Sequence, residues 1–202
     1  MDAAAQPPPT YLYPDRLRLP LVFDPAALAS DLERIDTAAW TAHYVADNYE
    51  GEWSVLPLRA PAGAAHPIQM IYADPAAEAF VDTPFLAPLA HIKVALAAFR
   101  CPLQGVRLMR LAPGSTIREH CDPGLCAENG TARFHVPIAT GAGVAFLLNG
   151  TPVDMAPGST WYLRLSDPHR VVNRGTADRV HLVIDAVVDD WLSEQLEAAT
   201  AV

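Results

Sequence analysis

The stretch IREHCD, residues 117–122, places a histidine and a carboxylate two residues apart in a segment of β-strand character. Side chains alternate between the two faces of a strand, so His120 and Asp122 are expected to point the same way. An imidazole nitrogen and a carboxylate oxygen can both bind a transition metal. Taken alone, such a pair is more often a solvated edge or a hydrogen-bonded core histidine. Metal binding therefore requires a third ligand from another strand.

His169 is the best candidate for that ligand, because Asp167-Pro168 marks a turn into the strand that His169 begins. It follows His120 by 49 residues, which is room for several short strands. Two histidines and one carboxylate on one side of a metal form the facial triad of non-heme Fe(II) oxygenases, which leaves coordination positions open. His181 is a rival ligand, although its place further along the next strand predicts a deeper position.

Arg179 begins the next strand candidate, ten residues after His169. A buried arginine beside an iron triad could bind the distal carboxylate of a 2-oxo acid through two parallel hydrogen bonds. The segment RFHVPI, 133–138, also alternates, with Arg133 and His135 on one face and apolar residues on the other. We predict that Arg133 and His135 line the same polar pocket. Arg133 considered alone fits an exposed ion pair equally well.

Eight short strand candidates separated by turn signals follow residue 104 and would position these side chains. They are 105–112, 116–122, 132–139, 143–149, 151–155, 159–165, 169–173 and 178–188. Asn149-Gly150 suits a type I′ hairpin between two of them. So many short strands in about 85 residues predict a jelly roll or a small double-sheet barrel.

The remaining segments predict supporting elements around this core. They are a strand over 16–23, a helix over 24–35 capped by Asp24, a strand over 48–59, a helix over 88–99 and a closing helix over 189–199. Residues 1–10 contain Pro-Pro-Pro and are expected to form a flexible tail. We predict a single domain over 11–202, with support over 11–104, the jelly-roll core over 105–188 and the helix over 189–202.

Composition narrows the classes of partner. The formal net charge is −9, from 23 acidic and 14 basic residues, which argues against nucleic-acid binding because phosphate contacts need a basic surface. No apolar run has membrane-spanning length, and the first residues lack the pattern of a signal peptide. Three cysteines without a CxxC pair argue against a disulfide framework or a zinc ribbon. A cytoplasmic protein that does not contact membranes is expected.

Four segments together resemble the aspartyl/asparaginyl β-hydroxylase family of Fe(II)/2-oxoglutarate-dependent oxygenases, which includes bacterial free-proline hydroxylases. They are LMRLAPGSTIREHCDPG, RFHVPI, APGSTWYL and PHRVVNRGTADRVHLVID. The resemblance is strong over about 105–190 and weaker over 48–59 and 88–99. It implies a mainly β, double-stranded β-helix fold (jelly roll, cupin-like) with N-terminal helices and a C-terminal helix.

The resemblance also implies roles for individual residues. His120, Asp122 and His169 would bind Fe(II), and Arg179 would pair with the C5 carboxylate of 2-oxoglutarate. His135 would lie near this cosubstrate, and Arg133 near either the cosubstrate or a substrate carboxylate. The implied reaction consumes O2 as a second cosubstrate and hydroxylates an amino acid, free or within a short peptide, with release of succinate and CO2.

Two positions depart from the pattern of the animal peptide-hydroxylating members. Asp122 stands where those proteins have glycine, and Thr131 stands where they have a second arginine. Iron–2-oxoglutarate halogenases leave the carboxylate position to chloride, so Asp122 favours hydroxylation over halogenation. Thr131 argues against an aspartate-containing protein as the substrate. A small carboxylate-bearing amino acid or a short peptide is the expected substrate.

Two other functions are compatible with the pattern. A cupin-like metalloenzyme that is not an oxygenase would need the three metal ligands but not Arg179. A non-catalytic jelly-roll module would bind a partner without a metal.

Several further residues stay ambiguous from sequence alone. Arg107, Arg110 and Arg118 fit a substrate carboxylate or a surface ion pair, and Trp53 and Arg59 fit a wall of the substrate pocket. His43, His66 and His91 show no partner pattern and are expected to be structural or exposed. Cys121 alternates away from His120 and is expected to pack in the core.

Overall fold

The computed structural model describes residues 11–72 and 76–201, so the tail predicted over 1–10 lies outside the described residues. Fourteen strands run through the described part of the chain. In order, β1 to β14 are Arg16–Val22, Thr41–Ala42, Tyr49–Glu50, Trp53–Pro61, Phe80–Asp82, Leu103–Leu111, Thr116–His120, Thr131–Ala139, Val144–Leu148, Thr151–Pro152, Ser159–Leu163, His169–Asn173, Arg179–Val187 and Thr200–Ala201. The helices α1 to α4 are Pro25–Leu32, Pro67–Ile71, Ala90–Ala97 and Asp190–Ala198.

The strands form two antiparallel sheets. The larger has the order β14-β1-β11-β8-β13-β6-β4-β2, with β5 paired to β4, and the smaller has the order β10-β9-β12-β7-β3. From β6 to β13 the chain passes back and forth between the two sheets, with β9 and β10 as a hairpin within the smaller one. This alternation produces a double-stranded β-helix. The predicted mainly β jelly roll with N-terminal helices and a C-terminal helix is confirmed.

Two apolar clusters stabilise this arrangement. In the first, Leu28 of α1, Ile92 of α3 and Leu192 of α4 pack with outward-facing residues of the larger sheet such as Leu182. The second cluster fills the space between the sheets. Val183, the neighbour of Leu182 in β13, belongs to this second cluster, as strand alternation requires. The face of β13 that carries Val183 therefore also carries the polar residues described below.

The capping and turn residues read from the sequence agree with the structure at the start of α1 and in the β9–β10 hairpin. The Asp24 carboxylate accepts hydrogen bonds from the N–H groups of Ala26 and Ala27, as predicted for the start of α1. Asn149 and Gly150 have φ angles of 51° and 74°, in agreement with the predicted type I′ turn. The N-terminus of α3 is capped by a distant residue, because the buried Asp31 accepts from the N–H groups of His91 and Ile92.

Other details differ from prediction. The helix α2 and the edge strand β14 were not expected, and the strand expected over 151–155 is limited to Thr151–Pro152. Cys121 is exposed, so its predicted core position is wrong. The strand β7 ends at His120, and alternation therefore does not extend to Cys121. Within the described residues no helix has the length and apolar character needed to cross a membrane, and the cytoplasmic location stays a prediction.

Candidate metal and carboxylate site

The three predicted metal ligands meet at one end of the smaller sheet. Strands β7 and β12 pair antiparallel, and this register places His120 directly opposite His169. The candidate ligand atoms of His120, Asp122 and His169 all lie within 4.8 Å of one another. Asp122 follows β7 in a loop whose backbone is held by a hydrogen bond from its N–H to the Leu165 carbonyl, at 2.8 Å. Strand pairing and this loop contact thus bring the three side chains together.

Hydrogen bonds fix which nitrogen of each histidine faces the site. Nδ1 of His120 lies 2.7 Å from the Arg118 carbonyl oxygen, and Nδ1 of His169 lies 3.0 Å from the Asp167 carbonyl oxygen. A carbonyl only accepts, so both Nδ1 atoms carry a hydrogen, and Nε2 is the ring nitrogen of each histidine that is left to bind a metal. Metal-binding histidines are typically held in this way. Two imidazoles and one carboxyl group match the ligand set of a facial Fe(II) triad.

Asp122 is supported by a buried cluster of charges. One carboxylate oxygen, Oδ1, lies 3.8 Å from His120 Nε2, while Oδ2 accepts from Arg133 Nη1 at 2.8 Å. Arg133 also donates from Nε and Nη2 to the two carboxylate oxygens of Asp185, at 2.6 and 2.9 Å. Arg107 donates to the same carboxylate at 2.8 Å. Burial raises the pKa of Asp185, but the two guanidinium groups outweigh it and lower the pKa overall.

Three of the five N–H groups of Arg133 therefore donate hydrogen bonds to carboxylates of the protein itself. It lies on the wall of the cavity, and its contact with Asp122 gives it a clear structural task. Arg107 lies beside it because residue 105 is glycine. A side chain at Gly105 would collide with the Arg107 guanidinium.

Arg179 lies deeper and differs from the other two arginines. Its side chain is among the most buried in the chain, with 1% of the residue exposed. Nη2 lies 2.9 Å from His181 Nδ1, whereas Nε has no hydrogen-bond partner among the described residues. No carboxylate of residues 11–72 or 76–201 pairs with it, and burial lowers the pKa of its guanidinium. A buried cation with free donors favours an anion as its partner.

His135 and His181 lie beside this arginine. Their Nδ1 atoms are 3.3 Å apart, and both residues are buried. Burial lowers the pKa of each imidazole well below its usual value, with the charge of Arg179 adding to the effect, so both are neutral. His181 contacts Arg179 and is not part of the three-ligand group. The structure thus places the rival ligand with the arginine rather than with the metal site.

All of these groups except His181 line one cavity of about 430 Å³ between the two sheets. The candidate ligands lie along its wall with Arg107, Arg133, His135 and Arg179. The cavity therefore combines a metal-ligand set with a buried, unpaired cation.

The sequence model of the Aspartyl/Asparaginyl beta-hydroxylase family matches residues 26–188, about four fifths of the chain. The chain belongs to this family. A curated relative, the L-proline cis-4-hydroxylase of Rhizobium meliloti (strain 1021), is 28% identical over 166 residues, which cover 81% of this chain and 57% of the relative. The chain thus spans little more than half the length of that relative.

Two solved structures align with most of this chain. A viral collagen prolyl hydroxylase from Paramecium bursaria Chlorella virus-1 aligns with a TM-score of 0.48 and 9% identity, covering 86% of this chain and 97% of that one. A 2OG-Fe(II) oxygenase family oxidoreductase from Burkholderia pseudomallei aligns with a TM-score of 0.48 and 15% identity, covering 85% of each chain.

The outer wall of the cavity contains aromatic residues that sequence reasoning only partly found. Trp53, which the sequence offered as a candidate wall residue, lies there together with Tyr44 and His43. The His43 ring stacks on the Trp53 ring with centroids 3.6 Å apart, and the Val45 N–H donates to its Nδ1 at 3.3 Å. Burial, aided by Arg107, lowers the pKa of His43 to about 4. His43 is therefore a neutral part of the site, although no motif surrounds it in the sequence.

The other ambiguous residues lie away from the cavity. Arg59 pairs with Asp82, Arg110 lies over the Trp40 ring, and Arg118 pairs with Glu50 at the surface. His66 caps α2, and His91 contacts Asp31 at the start of α3. Of the three ambiguous arginines 107, 110 and 118, only Arg107 lines the cavity.

The buried neutral histidines predict a pH-dependent stability. In the unfolded chain His135 and His181 regain a pKa near 6.5, so below that pH the unfolded state binds more protons than the folded state. The free energy of unfolding should therefore decrease as the pH is lowered below about 6.5. The slope approaches about 1.4 kcal/mol per pH unit for each histidine once the unfolded imidazole is fully protonated.

Urea unfolding of the metal-free protein between pH 6.5 and 5 measures this slope. His181→Asn should reduce the slope by about 1.4 kcal/mol per pH unit relative to the unmodified chain. Equal slopes in the two proteins would show that His181 already accepts a proton in the folded state.

Proposed function

We propose that this chain is an Fe(II)/2-oxoglutarate-dependent dioxygenase that hydroxylates an amino acid, free or within a peptide, and releases succinate and CO2. One observation carries the proposal: a His-Asp-His ligand set and the buried, unpaired Arg179 share one cavity. Family membership and the curated hydroxylase relative support it. Residues 11–202 would act as one oxygenase domain.

The metal would be held by Nε2 of His120, Nε2 of His169 and Oδ1 of Asp122. When bound, iron would supply the activation of O2 that hydroxylation of a C–H bond requires. The protein contributes the geometry. Arg133 holds Oδ2 of Asp122, so the carboxylate stays directed at the metal position and is not displaced easily. A retained carboxylate ligand favours transfer of a hydroxyl group over transfer of chloride.

The cosubstrate would bind with its distal carboxylate against Arg179. A guanidinium offers planar pairs of donors that match a carboxylate, and the pair is stronger in a site that excludes water. His135 lies on the same wall, and its buried Nε2 has no hydrogen-bond partner in the part of the chain that the structure describes. This arrangement gives 2-oxoglutarate an advantage over 2-oxo acids that lack the second carboxylate.

The substrate would bind nearer the cavity mouth. Arg107 donates one hydrogen bond to Asp185 and lines the cavity, so its other N–H groups can bind a substrate carboxylate. The His43, Tyr44 and Trp53 rings provide an apolar wall for the carbon skeleton. A cavity of about 430 Å³ suits a single amino acid or one residue of a short peptide beside the cosubstrate.

An amino-acid panel tests the proposal. Purified protein with Fe(II), 2-oxoglutarate and ascorbate should form succinate faster when the correct substrate is added, and mass spectrometry should show that substrate gaining one oxygen. L-proline comes first in the panel because the curated relative is named for it. Metal binding without succinate formation would support a non-oxygenase cupin-like enzyme, and a chain that binds no metal would support a binding module.

Arg107→Met tests the substrate-binding part separately. We expect the substrate KM to rise about 10- to 100-fold, because a charge-assisted hydrogen bond is lost, while the KM for 2-oxoglutarate changes little. Arg110→Met is the matched control, since Arg110 lies on the same strand but packs on Trp40. Equal kinetic constants in the two variants would place the substrate carboxylate elsewhere.

A further inference from the structure

His181 is a buried residue without a task in the proposed chemistry. It lies two residues after Arg179 on the same face of β13, has 1% of its surface exposed, and places Nδ1 2.9 Å from Arg179 Nη2. It is not one of the metal ligands. Its contact with the unpaired arginine is therefore the feature to explain, and the explanation rests on the proposed function.

The contact fixes the tautomer of His181. A guanidinium has no acceptor, so Arg179 donates and His181 Nδ1 accepts with its lone pair. The nearby His135 Nδ1, at 3.3 Å, must then carry a hydrogen for that contact to be favourable. The two donors then share the single lone pair of His181 Nδ1, with Arg179 the closer of the two. The three side chains form one ordered network on the face shared by β8 and β13.

The neutrality of this partner matters for the anion that Arg179 would bind. A carboxylate at position 181 would hold the guanidinium strongly but would also cancel its charge. An imidazole acceptor restricts the guanidinium through one hydrogen bond and leaves the positive charge uncompensated. The remaining donors, including the unpartnered Nε, stay available to a ligand.

A second cleft lies on the other side of Arg179 and offers its guanidinium an alternative position. This cleft, of about 340 Å³, shares Arg179 and Phe146 with the main cavity and is lined on its other sides by His181 and Asp154, among others. Of these two spaces, as the described residues form them, His181 lines the second and not the first. Without the imidazole, the guanidinium would have space on that side and an exposed carboxylate, Asp154, to attract it.

We propose that His181 is a positioning residue that holds Arg179 toward the main cavity and thereby sets the preference for a 2-oxo acid with a distal carboxylate. It does so by accepting one hydrogen bond from the guanidinium without neutralising it. The role is indirect, because His181 contacts the arginine rather than the cosubstrate.

Two nearly isosteric substitutions separate this role from simple packing. Asparagine can place an acceptor oxygen close to the position of Nδ1, whereas leucine has a similar size and no acceptor. Calorimetry of the Mn(II)-loaded proteins without O2 gives the Kd of 2-oxoglutarate and of 2-oxovalerate, which lacks the distal carboxylate. We expect His181→Leu to reduce the preference for 2-oxoglutarate about tenfold or more and His181→Asn to change it less than about threefold.

The readouts distinguish the possible failures. The Mn(II) affinity and the kcat at saturating 2-oxoglutarate should stay close to those of the unmodified protein in both variants, so the effect appears in the cosubstrate KM. If His181→Leu does not fold, His181→Phe keeps a ring without an acceptor and serves in its place. Equal preference in the Asn and apolar variants would overturn the positioning role alone. An unmodified protein that binds Mn(II) but not 2-oxoglutarate would overturn the proposed function and this inference with it.

Discussion

A His169→Ala variant is expected to lose metal binding and, with it, all measurable succinate formation. His169 is buried, faces His120 across the β7–β12 pair and presents a neutral Nε2 to the site. Its removal leaves one histidine and one carboxylate, too few ligands to hold Fe(II) against water. The loss should exceed the roughly 10- to 100-fold that removing only a hydrogen-bond partner of a ligand costs.

Calorimetry with Mn(II) and a succinate assay with Fe(II) measure the two losses separately. His66→Ala is the control, because His66 is exposed at the start of α2 and does not itself line the cavity, so both readouts should stay unchanged. Metal affinity retained in His169→Ala would mean that another group completes the site. If that group were His181, which the structure places beside Arg179, the arginine network would have to rearrange.

The sequence was sufficient to predict that His120, Asp122 and His169 come together, because their placement depends largely on local rules. His120 and Asp122 are two residues apart at the end of β7, where the loop contact to Leu165 directs Asp122 to the side that alternation predicted. His169 begins a strand that follows the turn residue Pro168. The same rules placed the strands of the core, where period-two patterns and turn residues agree. The resemblance then identified the double-stranded β-helix as the fold that these strands form.

The parts that could not be predicted depend on register between distant strands. Asp185 lies in an apolar run and looks like an isolated carboxylate, yet the β8–β13 register places it directly opposite Arg133. His43 enters the cavity wall because β2 pairs with β4 and brings its backbone N–H to the Trp53 carbonyl. Asp31 caps a helix 60 residues away. A single sequence without its pairings does not specify such contacts.

Asp185→Ala should give the largest loss of stability among substitutions in the charge cluster. The change leaves the guanidinium groups of Arg107 and Arg133 buried with one carboxylate contact between them, the one from Arg133 to Asp122. Breaking a buried ion pair from one side typically costs about 3–5 kcal/mol, because the remaining charge stays desolvated. Urea unfolding of the metal-free protein at neutral pH measures the loss.

Asp82→Ala is the matched control, since Asp82 also pairs with an arginine, Arg59, but has 61% of its side chain exposed. Its expected cost is below about 1 kcal/mol, because water solvates both partners after the change. Equal losses in the two variants would mean that Arg107 and Arg133 reach water through the cavity. The N–H groups of Arg133 that do not bind Asp122 or Asp185 could then reach a ligand carboxylate, which is the role that the family resemblance implies for this arginine.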